Sequence, residues 1–173
     1  GQHLLIEALA SLERRDYNCI IAGDAKDSRN YFIELKRAIK RHNLERNIKI
    51  LPATTDMPAA YSLADIVVSA ATEPEAFGRI AIEAQAMGKP IIASNHGGSV
   101  ENMIDGVTGY HFESGNTTDL AEKLDKLLNF YDDEYAVMQS KAIENAHNFT
   151  TQRMCEKTLE VYQDLLLDHA AID

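Results

Sequence analysis

The chain is 173 residues long with a formal net charge of −10, and its 45% apolar and 25% charged residues are the balance of an ordinary globular domain. One core at this size buries roughly two thirds of the surface of the unfolded chain, so neither disulfides nor a metal is needed for stability. Its strongly apolar runs, such as Ile66–Val68 and Ile91–Ala93, fall far short of the roughly 20 residues of a bilayer span, which excludes a transmembrane role for this sequence. Residues 51–173 hold seven Lys/Arg against twenty Asp/Glu, an acidic excess that disfavours general nucleic-acid binding.

Gly1-Gln2-His3-Leu4 already reads as the opening of a helix, with Leu4, Leu5, Ala8, Leu9 and Leu12 on one face and no signal-peptide pattern before it. Four short apolar runs follow, at 19–22, 48–51, 66–69 and 90–94, separated by intervals too long for hairpins. They read as buried parallel strands. Helical patterns lie between them, clearest at Phe32, Leu35 and Ile39 and across 80–87. Around the first of these sit Arg29, Lys36, Arg37, Lys40, Arg41, Arg46 and Lys49, read as a solvated helix face or as a contact for an anionic acceptor or membrane surface. A fifth strand is expected at 107–112, then an amphipathic helix through Leu120, Leu124, Leu127 and Leu128 with Asn116 or Thr117 near its N-cap. Helices at 134–147 and 151–168 close the chain, the last with a stripe of Leu159, Tyr162 and Leu166. The alternation predicts one α/β domain over residues 1–173: a doubly wound, mostly parallel sheet with additional C-terminal helices. Cys19 and Cys155 lie in no CxxC or Cys/His cluster, so a disulfide framework and a zinc module lack support and a reducing, cytoplasmic setting is favoured.

Ligands of open parallel sheets bind beyond the carboxyl ends of the strands, which directs attention to the loops Ala22-Gly23-Asp24, Pro52-Ala53-Thr54-Thr55-Asp56 and Asn95-His96-Gly97-Gly98. Gly97-Gly98 serves either close backbone approach to a phosphate or sugar, or a plain tight turn. There is no GxGxxG and no GxxxxGK[ST], so neither a dinucleotide fingerprint nor a P-loop is present. The most informative segment runs from Glu73 to Pro90 and starts just past a strand. Its Ala76-Phe77-Gly78 turn exposes backbone N–H groups at a helix start, where unpaired donors and the dipole suit an anionic or hydroxyl-rich ligand. Glu75 lies in that loop and Glu83 about two turns down the helix. Carboxylates accept paired hydrogen bonds from vicinal diols, so this pair suits a nucleotide sugar. The competing reading, an acidic helix start, serves Glu75 by dipole alone but not Glu83, which lies among Ile80, Ile82 and Ala84 where a buried carboxylate needs a partner.

Glu75-x-Phe77-Gly78-x-x-x-x-Glu83-Ala84, followed by Met87-Gly88-x-Pro90-Ile91-Ile92-Ala93-Ser94, resembles the E-x7-E signature of glycosyltransferase family 4, retaining enzymes of GT-B fold. Ala64-Asp65-Ile66-Val67-Val68-Ser69, Gly97-Gly98-x-x-Glu101 and Gly106-x-Thr108-Gly109 agree in order, and the likeness covers nearly the whole chain. The block is also similar to transferases that build bacterial lipopolysaccharide core or O-antigen, some of which use GDP-mannose. The resemblance implies that Glu83 binds the donor ribose and that Glu75, the one residue given a catalytic role, binds the hydroxyls of the transferred sugar. It places Ala76, Phe77, Gly78 and Arg79 at that sugar and the diphosphate, Pro52, Ala53 and Thr54 at the base, and Gly97, Gly98 and Glu101 at the border of the cleft. Pro52 departs from the family's usual Gly.

On the same resemblance this chain is the C-terminal, Rossmann-like donor half of a GT-B enzyme, lacking its first strand. The Arg and Lys that neutralise the diphosphate would lie upstream of Gly1, and a glycan or lipid-linked acceptor would bind an N-terminal domain, with peripheral membrane contact at the inner face of the cytoplasmic membrane. No DxD triplet occurs, so no metal and no cofactor beyond the donor are expected. His96 and His111 are read as structural histidines or as general bases. Two other readings stand beside the transferase: a GT-B sugar-nucleotide epimerase and a non-enzymatic α/β binding module.

Overall fold

The computed structural model describes residues 1–23 and 29–170, with side chains through 166, so Asp24 of the first strand-end loop lies outside the described residues. In chain order the elements are α1 (Gln2–Ser11), β1 (Cys19–Ala22), α2 (Arg29–Arg41), β2 (Ile48–Leu51), α3 (Met57–Ser62), β3 (Val67–Ser69), α4 (Arg79–Ala86), β4 (Ile91–Ser94), α5 (Ser99–Asn102), β5 (Gly109–Phe112), α6 (Thr117–Leu128), α7 (Asp132–Ala146), a 3₁₀ turn (His147–Phe149) and α8 (Thr151–Ala170). All five strands expected from the apolar runs form, and every ladder is parallel. Two short helices, α3 and α5, escape a reading based on periodicity because neither is long enough to repeat a 3.6-residue pattern. The last strand starts at Gly109 because Val107 and Thr108 turn back to donate to the Ile104 carbonyl.

Hydrogen bonding divides the expected single sheet into two ladders, β1–β2 and β3–β4–β5, with none joining β1 to β3 among the described residues. α1 bridges them through its buried face: Leu4, Ile6, Ala8 and Leu9 enter one cluster with Ile21 and Ile48 of one ladder and Ile92 and Phe112 of the other. β4 is the central strand of its ladder and is buried on both faces, which explains the unbroken Ile91-Ile92-Ala93 run. The period of two sends Ile92 toward α1 and α6, and Ile91 and Ala93 toward a second cluster of Tyr61, Ala81, Ala84 and Met103. Small residues at 81 and 84 let α4 lie close on β4, and that contact sets the height of the turn preceding the helix.

Burial pushes the Cys19 thiol up to about 12, which leaves it protonated and inert at neutral pH. On α8, Leu159, Tyr162 and Leu166 are 59%, 61% and 70% exposed, so the apolar stripe read from the sequence lies open. No helix among the described residues is long and apolar enough to cross a membrane.

α6 begins as its sequence predicts, with the Asn116 side chain accepting the Asp119 N–H at 3.0 Å. Asp119 in turn accepts the Glu113 N–H at 2.6 Å and pairs with Lys123 at 3.0 Å. Burial alone would raise the Asp119 carboxyl, but these two partners outweigh it and hold it below the usual carboxylate range. A depressed pKa in the folded state gives stability that is full above the unfolded carboxylate's range and lost as pH falls through the folded one. Asp119→Asn therefore lowers the melting temperature at pH 7, and in calorimetry the deficit relative to the parent shrinks progressively below about pH 4.

Candidate functional site

The loop leaving β3 and the loop leaving β4 meet at the carboxyl edge of the three-stranded ladder. Ala71 accepts there from the Ser94 hydroxyl at 2.6 Å and from His96 Nε2 at 3.0 Å. Further along, the Gly98 N–H donates to the Glu75 carbonyl at 2.8 Å. Gly97 lies at φ +61° against the Glu75 backbone, and a Cβ on Gly98 would run into the Phe77 backbone. The glycine pair thus brings one loop flush against the other, a close approach of backbone to backbone that a side chain would forbid.

The turn before α4 is fixed from below by Asn102, which is 1% exposed. Its Nδ2 donates to the Phe77 carbonyl and, at 3.3 Å, to the Gly78 carbonyl. Across a planar trans peptide the N–H points opposite the carbonyl, so gripping these two carbonyls turns the Gly78 and Arg79 N–H groups the other way. Neither donates to a backbone carbonyl among the described residues. Gly78 is the N-cap in the left-handed region at φ +70°, and it presents the first-turn donors and positive dipole end of an eight-residue helix.

Glu75, Phe77, Gly78, Arg79 and Ile80 line a shallow depression of about 290 Å³ outside this turn. Glu75 is half-buried and also lines a small void of about 10 Å³, the room of one water, with Ser94, His96 and Ser99. Ala76 and Phe77 are exposed at the rim, where the Phe77 ring meets Phe149 edge-on at 6.3 Å. Glu83 sits farther down α4 and lines neither hollow, with both oxygens engaged: the Tyr61 hydroxyl donates to Oε2 at 3.0 Å and Arg79 Nη2 to Oε1 at 2.9 Å. Glu83 is 34% exposed, so it is a half-buried carboxylate and not the buried one its sequence neighbours suggest; Tyr61 is its buried partner and Arg79 its exposed one. Burial, and then the adjoining Glu83 carboxylate, push the Tyr61 phenol well above its ordinary range, so it stays a neutral donor.

Other residues singled out from the sequence lie apart. Pro52, Ala53 and Thr54 are exposed and line neither hollow; Thr54 Oγ1 accepts the Asp56 N–H at 3.1 Å, and the loop leads into α3, which carries Tyr61. Glu101 is exposed in the first turn of α5 and lines neither hollow. His96 Nε2 faces a carbonyl, which can only accept, so Nε2 carries the hydrogen and the ring pins a loop. His111 Nε2 meets the Ser99 carbonyl at 3.1 Å in the same way. Among the described residues no group of three His, Cys, Asp or Glu side chains is placed to hold a metal ion. Tyr61 and Asn102 were not found from the sequence: each acts through a tertiary contact, and no local pattern marks it.

Residues 1–149 match the family model for glycosyl transferases group 1. The chain belongs to that family. Among curated relatives of this glycosyltransferase chain, the D-inositol 3-phosphate glycosyltransferase of Corynebacterium diphtheriae is 33% identical over 171 residues, covering 95% of this chain and 39% of the relative. A glycosyltransferase from Rickettsia africae superposes with a TM-score of 0.88 at 38% identity over 95% of this chain and 44% of its own. HepE of Anabaena, solved with UDP-glucose, gives 0.86 at 31% identity, over 95% and 45% respectively. This group 1 glycosyltransferase chain thus spans less than half the length of these relatives, and its GT-B kinship is the one the E-x7-E block predicts.

Removing the grip beneath the turn tests its weight. Asn102→Ala strips donors from the Phe77 and Gly78 carbonyls and is expected to cost about 1–3 kcal/mol. In a thermal melt that is roughly 2–4 °C for each kcal/mol at this chain length.

Proposed function

We propose that this chain is the donor-binding part of a glycosyltransferase that moves a hexose from a nucleoside diphosphate sugar to a glycan acceptor with retention at the anomeric carbon. The observation that carries the reading is the turn at Phe77–Arg79, whose carbonyls are gripped from below, whose Gly78 and Arg79 amides donate to no backbone carbonyl among the described residues, and which has a glutamate before it and another after it in the chain. The diphosphate lies against the Gly78 and Arg79 N–H groups, where fixed donors and the α4 dipole meet its charge. Glu83 accepts the ribose hydroxyls and Glu75 those of the hexose. Phosphate charge is met by amides and basic side chains, with no metal ion. Binding to a sugar hydroxyl that strengthens as the glycosidic bond breaks is what makes Glu75 catalytic.

The acceptor binds a part of the protein outside this sequence, in keeping with the share of its relatives that the chain spans. An envelope glycan, lipopolysaccharide among them, is the acceptor class we favour; a relative in Staphylococcus aureus, 27% identical over 169 residues, is a capsular polysaccharide biosynthesis glycosyltransferase. The neighbour solved with UDP-glucose makes UDP the first probe, and GDP, for GDP-mannose, the second.

Titration calorimetry on the chain is expected to detect UDP or GDP, and saturation at about 100 times the dissociation constant adds about 2.7 kcal/mol of stability. Glu83→Ala weakens nucleoside diphosphate and intact donor alike by more than about tenfold, the worth of a lost charged hydrogen bond. Glu75→Ala leaves nucleoside diphosphate affinity nearly unchanged and, in the full-length enzyme, lowers turnover of the sugar nucleotide. A folded chain that binds neither nucleotide at millimolar concentration overturns the reading.

A further inference from the structure

Glu83 is held by two donors of opposite character. Tyr61 is 6% exposed, and its ring is packed with Ala81, Ala84, Ile91, Ala93 and Met103, so its hydroxyl has one place to be. α3, which carries it, is fixed at its start by the Asp56 carboxylate accepting the Ala59 N–H at 3.0 Å and by Pro58. Arg79 reaches the other oxygen from a side chain that is 82% exposed. An i,i+4 ion pair held by so exposed a side chain is weak, so it is readily exchanged for another donor.

We propose that Tyr61 is a positioning residue for the nucleotide: its buried hydroxyl fixes the Glu83 carboxylate so that both oxygens accept the two hydroxyls of a ribose diol, and Arg79 is the partner that the diol displaces. This rests on the donor-site reading above. Each carboxylate oxygen offers two acceptor positions. Oε2 therefore keeps Tyr61 and takes one ribose hydroxyl, while Oε1 gives up Arg79 and takes the other. A glutamate without the Tyr61 bond would sample several rotamers and be ordered at the expense of binding, whereas the fixed one is ordered before the ligand arrives. A buried tyrosine that merely satisfies its own hydroxyl would predict no link between that hydroxyl and the ribose.

The test compares UDP with 2′,3′-dideoxy-UDP, and GDP with 2′,3′-dideoxy-GDP, by calorimetry on the chain and on Tyr61→Phe. The two members of each pair share base and diphosphate, so their affinity ratio isolates the diol. In the parent the ribose form is expected to bind at least about tenfold more tightly. In Tyr61→Phe that ratio falls by about threefold or more, while the dideoxy affinity stays within about twofold of the parent's, because the lost bond acts only through the diol. Circular dichroism verifies folding, and Tyr61→Met, whose flexible apolar side chain adapts to the site without a strong donor, stands in if the phenylalanine variant does not fold. An unchanged ratio, with both affinities equal to the parent's or lowered together, overturns the proposal and leaves the donor site standing. A parent chain that binds nucleotide without preferring ribose overturns the Glu83 assignment and this proposal with it, and a parent that binds neither nucleotide overturns both at once.

Discussion

The Gly98 N–H and the Glu75 carbonyl meet at 2.8 Å between the loops that leave two neighbouring parallel strands, and the geometry of the site follows from that contact. Adjacent strands run a little under 5 Å apart, so loops leaving them on the same edge either touch or must be splayed by their side chains. Here they touch, because positions 97 and 98 carry no Cβ to hold the Glu75 and Phe77 backbone off. Once the loops are flush, α5 starts directly beneath the turn, and Asn102 at its last position reaches the Phe77 and Gly78 carbonyls. A substitution that pushed the loops apart would remove Asn102 from its carbonyls and free the peptide planes that aim the turn's amides outward.

The same turn is braced by a polar network in an otherwise apolar interior. Gln85, fully buried on α4, donates to the Ala81 and Asn102 carbonyls, and Asn145 of α7 donates to Gln85 Oε1 and the Asn102 carbonyl. Burying amides without partners is costly, and here nearly every group has one; Asn102 Oδ1 alone of this set is buried without a hydrogen bond. The network links α4, α5 and α7, so α4 is held by elements from two other parts of the chain. Donors held in this way need little reorganisation when a charged ligand arrives, which is the condition under which backbone amides stabilise charge most effectively.

Much of this was legible in the sequence where the signal is local. The five strands stand out as apolar runs; of the two caps the sequence offers for α6, Asn116 and Thr117, the structure uses Asn116; and Glu75 falls in the loop before a helix that carries Glu83, about one turn from its start and not two. α3 and α5 were missed because short helices carry no periodicity, and it is these two that deliver Tyr61 and Asn102 to the site. The Gly97-Gly98 pair alone fits a ligand-facing or a turn function; the structure shows it used for loop-to-loop contact, which spacing does not encode. The division into two ladders was equally illegible, since apolar runs report burial and not which strands exchange hydrogen bonds.

The two glutamates, alike in the motif, are held in different ways. Glu83 has a donor on each oxygen and sits beside a buried phenol. Glu75 is half-buried between two hollows, and its carboxylate takes no side-chain or backbone donor among the described residues. A carboxylate already fixed gives a site with one geometry, whereas one left free adapts to whichever hydroxyls approach it. On the proposed assignment the ribose, common to every nucleoside diphosphate sugar, meets the rigid group and the hexose meets the adaptable one. Discrimination among sugars must then arise less from Glu75 itself than from its surroundings, namely the Gly97-Gly98 backbone set flush against Glu75 and Phe77 and the Phe77 side chain that lines the same depression. Phe77 meets Phe149 edge-on, and Phe149 lies in the 3₁₀ turn that leads into α8, so the rim of that depression is joined to the C-terminal helices, at the far end of the sequence from the first ladder.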